Sequence, residues 1–192
     1  MSNKPYDIAV ILGRFQPLHN GHINLIEQSF SLADKVFIMI GHSGFEDIRH
    51  FMSPEEVENS IEETFCTKNN MYHIEHIMDM HDDGKWVLKL SNKIEIMKAK
   101  HLPWIKGSAN ICFLGSKKDI NWYANLLPNW TLITLPPYKN INATAIRGDF
   151  FCNKRISQEI PEESDMFMKE YVDSERYEKL AKRYKQYYSI ID

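Results

Sequence analysis

Apolar and polar positions along this chain fall into blocks that predict a repeated strand-then-helix plan. The run Ile8-Ala9-Val10-Ile11-Leu12 reads as a buried strand over residues 6–12. Ile23, Ile26, Phe30 and Ala33 recur at helical spacing and predict a helix over 21–33. Lys35-Val36-Phe37-Ile38-Met39-Ile40-Gly41 is almost wholly apolar, as expected for a parallel strand covered on both faces. Ser53-Pro54-Glu55-Glu56 has the form of a capping box with proline at the first helical position, and Val57, Ile61 and Phe65 then share a face. A strand is predicted over 71–78, a loop over 79–84 and a helix over 85–98. A strand over 111–115, a helix over 118–127 and a strand over 131–135 follow. This alternation predicts an α/β fold, a doubly wound parallel five-stranded sheet with right-handed crossovers. Ligands of such sheets sit at the carboxyl ends of the strands, where Gly13, Gly41 and Gly115 fall. From Pro161 onward the chain is polar, aromatic and helical, with Phe167, Tyr171, Tyr177, Leu180, Tyr184 and Tyr187 prominent. The expected division is a domain over 1–160 and a C-terminal helical extension over 161–192.

Composition narrows the class. A chain of 192 residues that is 43% hydrophobic and 12% aromatic can build a real core. Its net charge of -3 argues against a general nucleic-acid binder, so any polyanion must be held by a local positive cluster. Cys66, Cys112 and Cys152 are odd in number and lack CxxC spacing, which suggests reduced thiols and a cytoplasmic protein. The N-terminus has no long apolar stretch, so neither a secretion signal nor a membrane partner is expected.

The candidate chemistry concentrates in Gly13-Arg14-Phe15-Gln16-Pro17-Leu18-His19-Asn20-Gly21-His22. A glycine turn, an arginine and two histidines stand where a strand hands over to a helix. Backbone N–H groups there are unpaired and the helix dipole favours anions, so the segment suits a polyphosphate. HxxH at a helix start also fits zinc, but no third ligand lies at a convincing spacing. His73 and His76 repeat the spacing on a predicted strand. Residues three apart on a strand point to opposite faces, so that pair is read as structural. Asn142-Ala143-Thr144-Ala145-Ile146-Arg147 predicts a short helix over 143–151 that offers a hydroxyl and a guanidinium fork near its start.

The decapeptide resembles the HxGH signature of the nucleotidylyltransferase superfamily. In its longer form it is similar to the nicotinamide mononucleotide (NMN) adenylyltransferases of archaea and of bacterial enzymes fused to a Nudix hydrolase. The stretch Ile141–Arg147 resembles that family's second phosphate motif. Gly115-Ser116-Lys117-Lys118-Asp119, with Trp122-Tyr123 and Pro128-Asn129-Trp130, resembles its adenosine-bordering loop, though Leu127 stands where phenylalanine is usual. Trp86, after Asp79 and Asp83, resembles a tryptophan that stacks on nicotinamide, a favourable cation–π pairing.

The resemblance implies a Rossmann-like fold and transfer of AMP from ATP to NMN, giving NAD and pyrophosphate. It implies an ATP site drawn from Gly13, Arg14, Phe15, His19, His22, Gly115, Lys118, Asp119, Asn142, Thr144 and Arg147. Arg14, His19, His22 and Arg147 would serve catalysis, with His22 the more critical histidine. The NMN site would draw on Phe15, Asp83, Trp86 and Arg49. Mg²⁺ would arrive on the ATP phosphates with no direct protein ligand. Three alternatives stay open: Lys118 and Asp119 as a solvated helix start, Trp86 as a core residue beside Leu90 and Ile94, and Arg49 as a solvated cation.

One departure concerns the stretch His50-Phe51-Met52-Ser53-Pro54-Glu55-Glu56-Val57, which lacks the family's asparagine–proline pair. Val57 stands where an arginine is expected, and Arg49 is the candidate to compensate. Nicotinate mononucleotide, FMN, pantetheine phosphate or a phosphorylated alcohol are the alternative acceptors, and a non-catalytic nucleotide-binding regulator is the rival of another class. The chain is too short for a class I aminoacyl-tRNA synthetase. The tail resembles the segment that leads to a Nudix domain, and no Nudix box is present. A homo-oligomer and a separate Nudix partner stay open.

Overall fold

The apolar blocks become the sheet. In the computed structural model, which describes residues 3–116, 120–122, 126–127 and 129–188, β1 spans Tyr6–Gly13, β2 Ala33–His42 and β3 Tyr72–Met78. Strands β4 (Ile111–Gly115) and β5 (Thr131–Thr134) complete a five-stranded sheet of order β3-β2-β1-β4-β5. β1 runs parallel to both β2 and β4, and β4 runs parallel to β5. Val10 lies opposite Phe37 on one side and Phe113 on the other, so the central register is apolar throughout. The chain winds outward from β1 in one direction and then in the other, the Rossmann-like, doubly wound α/β plan expected from the sequence.

Helix α1 spans Asn20–Leu32 and passes directly into β2. Helix α2 (Pro54–Thr64) carries the expected capping box: the Ser53 hydroxyl accepts from Glu56 N–H, and the Glu56 carboxylate accepts from Ser53 N–H. Helix α3 spans Asp83–His101, two residues earlier than expected at its start, because Asp82 caps it by accepting from Lys85 N–H at 3.0 Å. α4 (Ala143–Asn153), α5 (Glu162–Tyr171) and α6 (Glu175–Tyr188) follow β5. Of the expected helix over 118–127, residues 120–122 and 126–127 are described; the first three are helical and the last two are not. Among the described residues no helix is long and apolar enough to cross a membrane.

Packing divides the chain into two units. The first holds Met1–Gly13, Leu25–Gly41 and Lys68–Pro136. Its core joins Ile8, Val10, Phe37, Met39 and Phe113 of the sheet to Trp86, Leu90 and Ile94 of α3. The second holds Arg14–Asn24, His42–Thr67 and Pro137–Asp192. Its interior is aromatic: Phe51, Phe150, Phe151, Tyr171, Tyr177 and Tyr184 meet ring to ring. The Tyr177 hydroxyl also donates to the Phe150 carbonyl at 2.7 Å. The boundary expected at residue 160 does not coincide with this division. The apolar face of α6, with Tyr177, Leu180, Ala181 and Tyr184 buried, packs inside the second unit instead of standing apart as an extension.

Candidate active site

Residues 14–24, 49–52 and 141–147 lie within the second unit, where Arg147 of one candidate motif bonds the Gln16 carbonyl of the other. The loop leaves β1 at Gly13 and turns through Phe15, whose φ of 52° is left-handed and costs a bulky side chain of order 1–3 kcal/mol. The Phe15 ring is buried and stands edge-on to His22 at 4.9 Å. It props the second histidine, so any ligand contact from Phe15 falls to its main chain.

His19 immediately precedes α1 and His22 lies in its first turn. Their rings stack at 3.7 Å between centroids and 17° between planes. The His22 backbone N–H donates to the His19 carbonyl at 2.8 Å and also to His19 Nδ1 at 3.3 Å, which favours the neutral tautomer with its proton on Nε2. The intervening glycine has a steric reason. A Cβ on Gly21 would sit 3.0 Å from both Cε1 and Nδ1 of His19, inside normal contact distance. Burial pushes the His19 pKa down to about 4, against the raising effect of its own backbone carbonyl and with Arg147 adding to the fall. Burial also holds His22 well below its usual value, with further lowering by His19 and Arg147. Both imidazoles are therefore neutral near pH 7, and both are donors.

Arg147 reaches the same place from α4. Asn142 caps that helix, its Oδ1 accepting from Ala145 N–H at 2.9 Å, and so sets the first turn. The guanidinium donates to the Gln16 carbonyl at 2.8 Å and to the Thr144 hydroxyl at 3.3 Å. Burial lowers its pKa, Tyr184 and Tyr188 oppose that, and the charges of Arg14 and Arg49 lower it further. The charges of Arg14 and Arg49 thus both bear on Arg147. Among the described residues two buried donor-bearing atoms here, His22 Nδ1 and Arg147 Nε, have no hydrogen-bond partner. Unpaired buried nitrogens beside crowded positive charge are what a phosphate oxygen satisfies.

Arg49 is exposed, and Asp47 sets its position by accepting from both Arg49 N–H and His50 N–H. Val57 is fully buried in α2, so the position expected to hold an arginine contributes to packing. Gln16, quoted in the motif without a role, exchanges two hydrogen bonds with the Met52 backbone at 2.8 and 2.9 Å. No local signal reveals a contact 36 positions away.

Trp86, Asp83, Gly13 and Gly115 lie in the first unit. Trp86 is only 5% exposed and belongs to the core of α3, with the half-exposed Trp122 edge-on at 6.2 Å. Asp83 is exposed in the first turn of α3, and Gly115 closes β4, accepting from Leu135 N–H. Lys118 and Asp119 lie outside the described residues. Among the described residues no three His, Cys, Asp or Glu side chains are grouped to hold a metal. Stacked rings with one nitrogen engaged by an amide are also not the convergent lone pairs zinc requires.

The chain as a whole is similar to known proteins. The nicotinamide/nicotinic acid mononucleotide adenylyltransferase of Acinetobacter baylyi is 28% identical over 184 residues, 94% of each chain. The phosphopantetheine adenylyltransferase of Streptococcus gordonii is 24% identical over 84% of this chain and 92% of its own. A bifunctional NMN adenylyltransferase/ADP ribose pyrophosphatase from Francisella tularensis superposes with a TM-score of 0.84 at 28% identity. That match covers 97% of this chain and 56% of the Francisella chain. A second structure of that enzyme, complexed with AMP and Mn ion, superposes with a TM-score of 0.82. The cytidylyltransferase-like family matches residues 10–149, a span that holds both phosphate motifs, and this chain belongs to that family.

Proposed function

We propose that this protein is an adenylyltransferase that joins NMN to the AMP moiety of ATP, releasing pyrophosphate and forming NAD. The observation that carries the reading is the stacked His19–His22 pair facing Arg147, with buried nitrogens unpaired on His22 and Arg147. The NMN phosphate is already ionised and attacks the ATP α-phosphorus in line, so no protein nucleophile is needed. Placing two anionic reactants in line contributes roughly 7–11 kcal/mol. His19 Nε2, His22, Arg14 and Arg147 donate to phosphate oxygens and stabilise charge as it moves onto the departing pyrophosphate. ATP enters as its Mg²⁺ complex, the metal held by the phosphates and belonging to the substrate. The three free cysteines fit a reducing cytoplasm.

A second acceptor has observations of its own. The Streptococcus gordonii relative acts on phosphopantetheine, and the burial of Trp86 leaves the proposed nicotinamide stack dependent on a movement of α3. One panel separates the readings: pyrophosphate release from MgATP with NMN, nicotinate mononucleotide, FMN and 4′-phosphopantetheine in turn. NMN is expected to give the highest kcat/KM. A preference for phosphopantetheine replaces the acceptor and keeps the chemistry, and release with none of the four overturns the assignment.

A further inference from the structure

The second unit contains a run of hydrogen bonds, joined through the Phe51–Met52 backbone and through Gln16, from the C-terminal helices to the proposed phosphate site, and it starts at Arg176 in the first turn of α6. Its guanidinium makes four hydrogen bonds: Nε to Glu46 at 2.7 Å, both terminal nitrogens to Glu56 at 2.7 and 3.1 Å, and Nη2 to the Phe51 carbonyl at 3.0 Å. The guanidinium carbon lies over the Tyr171 ring, 5.0 Å from its centroid. Glu56 is also the carboxylate that closes the capping box at the start of α2, so Arg176 locks that cap to the tail. The residue after Phe51 is Met52, whose N–H and C=O are both taken by the Gln16 side chain. The Gln16 carbonyl in turn accepts from Arg147. Each link fixes a backbone position, so the position of one guanidinium sets that of the other.

We propose that Arg176 is a positioning residue for Arg147, acting through the Phe51–Met52 backbone and Gln16 and touching no substrate itself. The reason for arginine is geometric. A planar fork satisfies two carboxylates and a carbonyl at once, whereas a lysine is a single point donor on a flexible stem. The arrangement also gives the altered stretch before α2 a role. Val57, where an arginine is expected, is buried, and Glu56 beside it is held by the cation that arrives from α6, which keeps the segment in place.

The proposal rests on the phosphate-binding reading of Arg147, and its test separates the two. Affinity for inorganic tripolyphosphate is measured by calorimetry, alongside MgATP turnover and thermal melting, for wild type, Arg176→Ala, Gln16→Ala, the double variant and Arg176→Lys. Lys169→Ala, which removes an exposed ion pair on α5, is the control. Arg176→Ala is expected to weaken tripolyphosphate at least tenfold, with kcat falling further than the KM for the mononucleotide. Arg176→Lys should recover only part of the loss, and the double variant should be little worse than either single one, since both break the same run. If Arg176→Ala does not fold, Glu46→Gln loosens one arm of the fork while keeping Glu56, and a threefold or greater loss is expected there. Unchanged tripolyphosphate affinity in folded Arg176→Ala or Glu46→Gln overturns the proposal, as do losses for Arg176→Ala and Gln16→Ala that simply multiply. A wild type that binds no tripolyphosphate sinks the phosphate reading instead. One that binds it and turns over no acceptor leaves Arg176 to be judged on affinity alone.

Discussion

Two histidine pairs with the same spacing, His19/His22 and His73/His76, came to opposite ends. The first brackets a helix start, and the backbone there turns both rings to one side, where they stack at 3.7 Å. The second lies on β3, where the strand sends the two side chains apart, and His73 stacks on His101 of α3 at 3.5 Å. The pKa of His73 is also pushed down to about 4, by burial first and then by His101, Lys35 and Lys100. A depressed imidazole is therefore common to both pairs and identifies neither as functional. What separates them is the company each keeps. His22 has Arg147 with its own unpaired nitrogen beside it, whereas His73 has an aromatic neighbour and a structural role in the sheet unit. Spacing becomes chemistry only through the backbone that carries it.

Substitutions can break that comparison. Replacing His22 with alanine should lower kcat by about 10²–10³-fold, the usual cost of one donor to developing charge, with the melting temperature retained. Activity within a few-fold of wild type would make the two pairs equivalent. A smaller effect is expected from Gly21→Ala. Alanine favours a helix over glycine by roughly 0.5–1 kcal/mol, so the fold should hold or gain stability. The new methyl must displace the His19 ring by a few tenths of an ångström, and a loss of about tenfold in kcat is expected from such a misplacement. A fully active Gly21→Ala enzyme would mean the ring is free to move and its placement is not what the motif protects.

Charge sharpens the contrast further. Bound polyphosphate should raise the pKa of His19 and His22 from their depressed values, so binding takes up protons and tightens as pH falls from neutrality. Calorimetry at pH 6 in two buffers of different ionisation enthalpy measures the uptake directly, and zero uptake would show that the imidazoles act only as neutral donors. The smallest effect belongs to His73. Its folded pKa of about 4 lies below the usual 6.5, so between those values the unfolded chain binds more protons. Stability is fully present above pH 6.5 and is lost as pH falls toward 4. His19 contributes with the same sign. His73→Gln should flatten that acid limb in thermal melts and leave turnover unchanged near pH 7.

The sheet and the helix starts that carry both candidate motifs were legible because their signals are local. A run such as Ile8–Leu12 buries itself, Ser53 and Glu56 cap the helix they precede, and Asn142 caps α4 from three residues away. Arg176 was not legible. Its partners lie 120 to 130 positions upstream, and an arginine on a polar helix reads as solvated until the fold brings Glu46 and Glu56 to it. The tail looked like an appendage for the same reason: its tyrosines had no visible partners until Phe150 and Phe151 were placed against them. Trp86 shows the limit of composition. An indole at helical spacing with Leu90 and Ile94 is written identically for a core position and for a stacking platform, and the fold places it in the core.

The crowding of Arg14, Arg49 and Arg147 sets this protein's resilience against its activity. Burial and the charges of Arg14 and Arg49 all act against the charge on Arg147, so an anion bound beside it offsets a cost the fold otherwise carries. A search for heat-tolerant variants conducted without nucleotide would therefore favour neutral residues at these three positions and return sturdier, less active proteins. The same search with tripolyphosphate present would keep the arginines, because the ligand turns mutual repulsion into shared attraction.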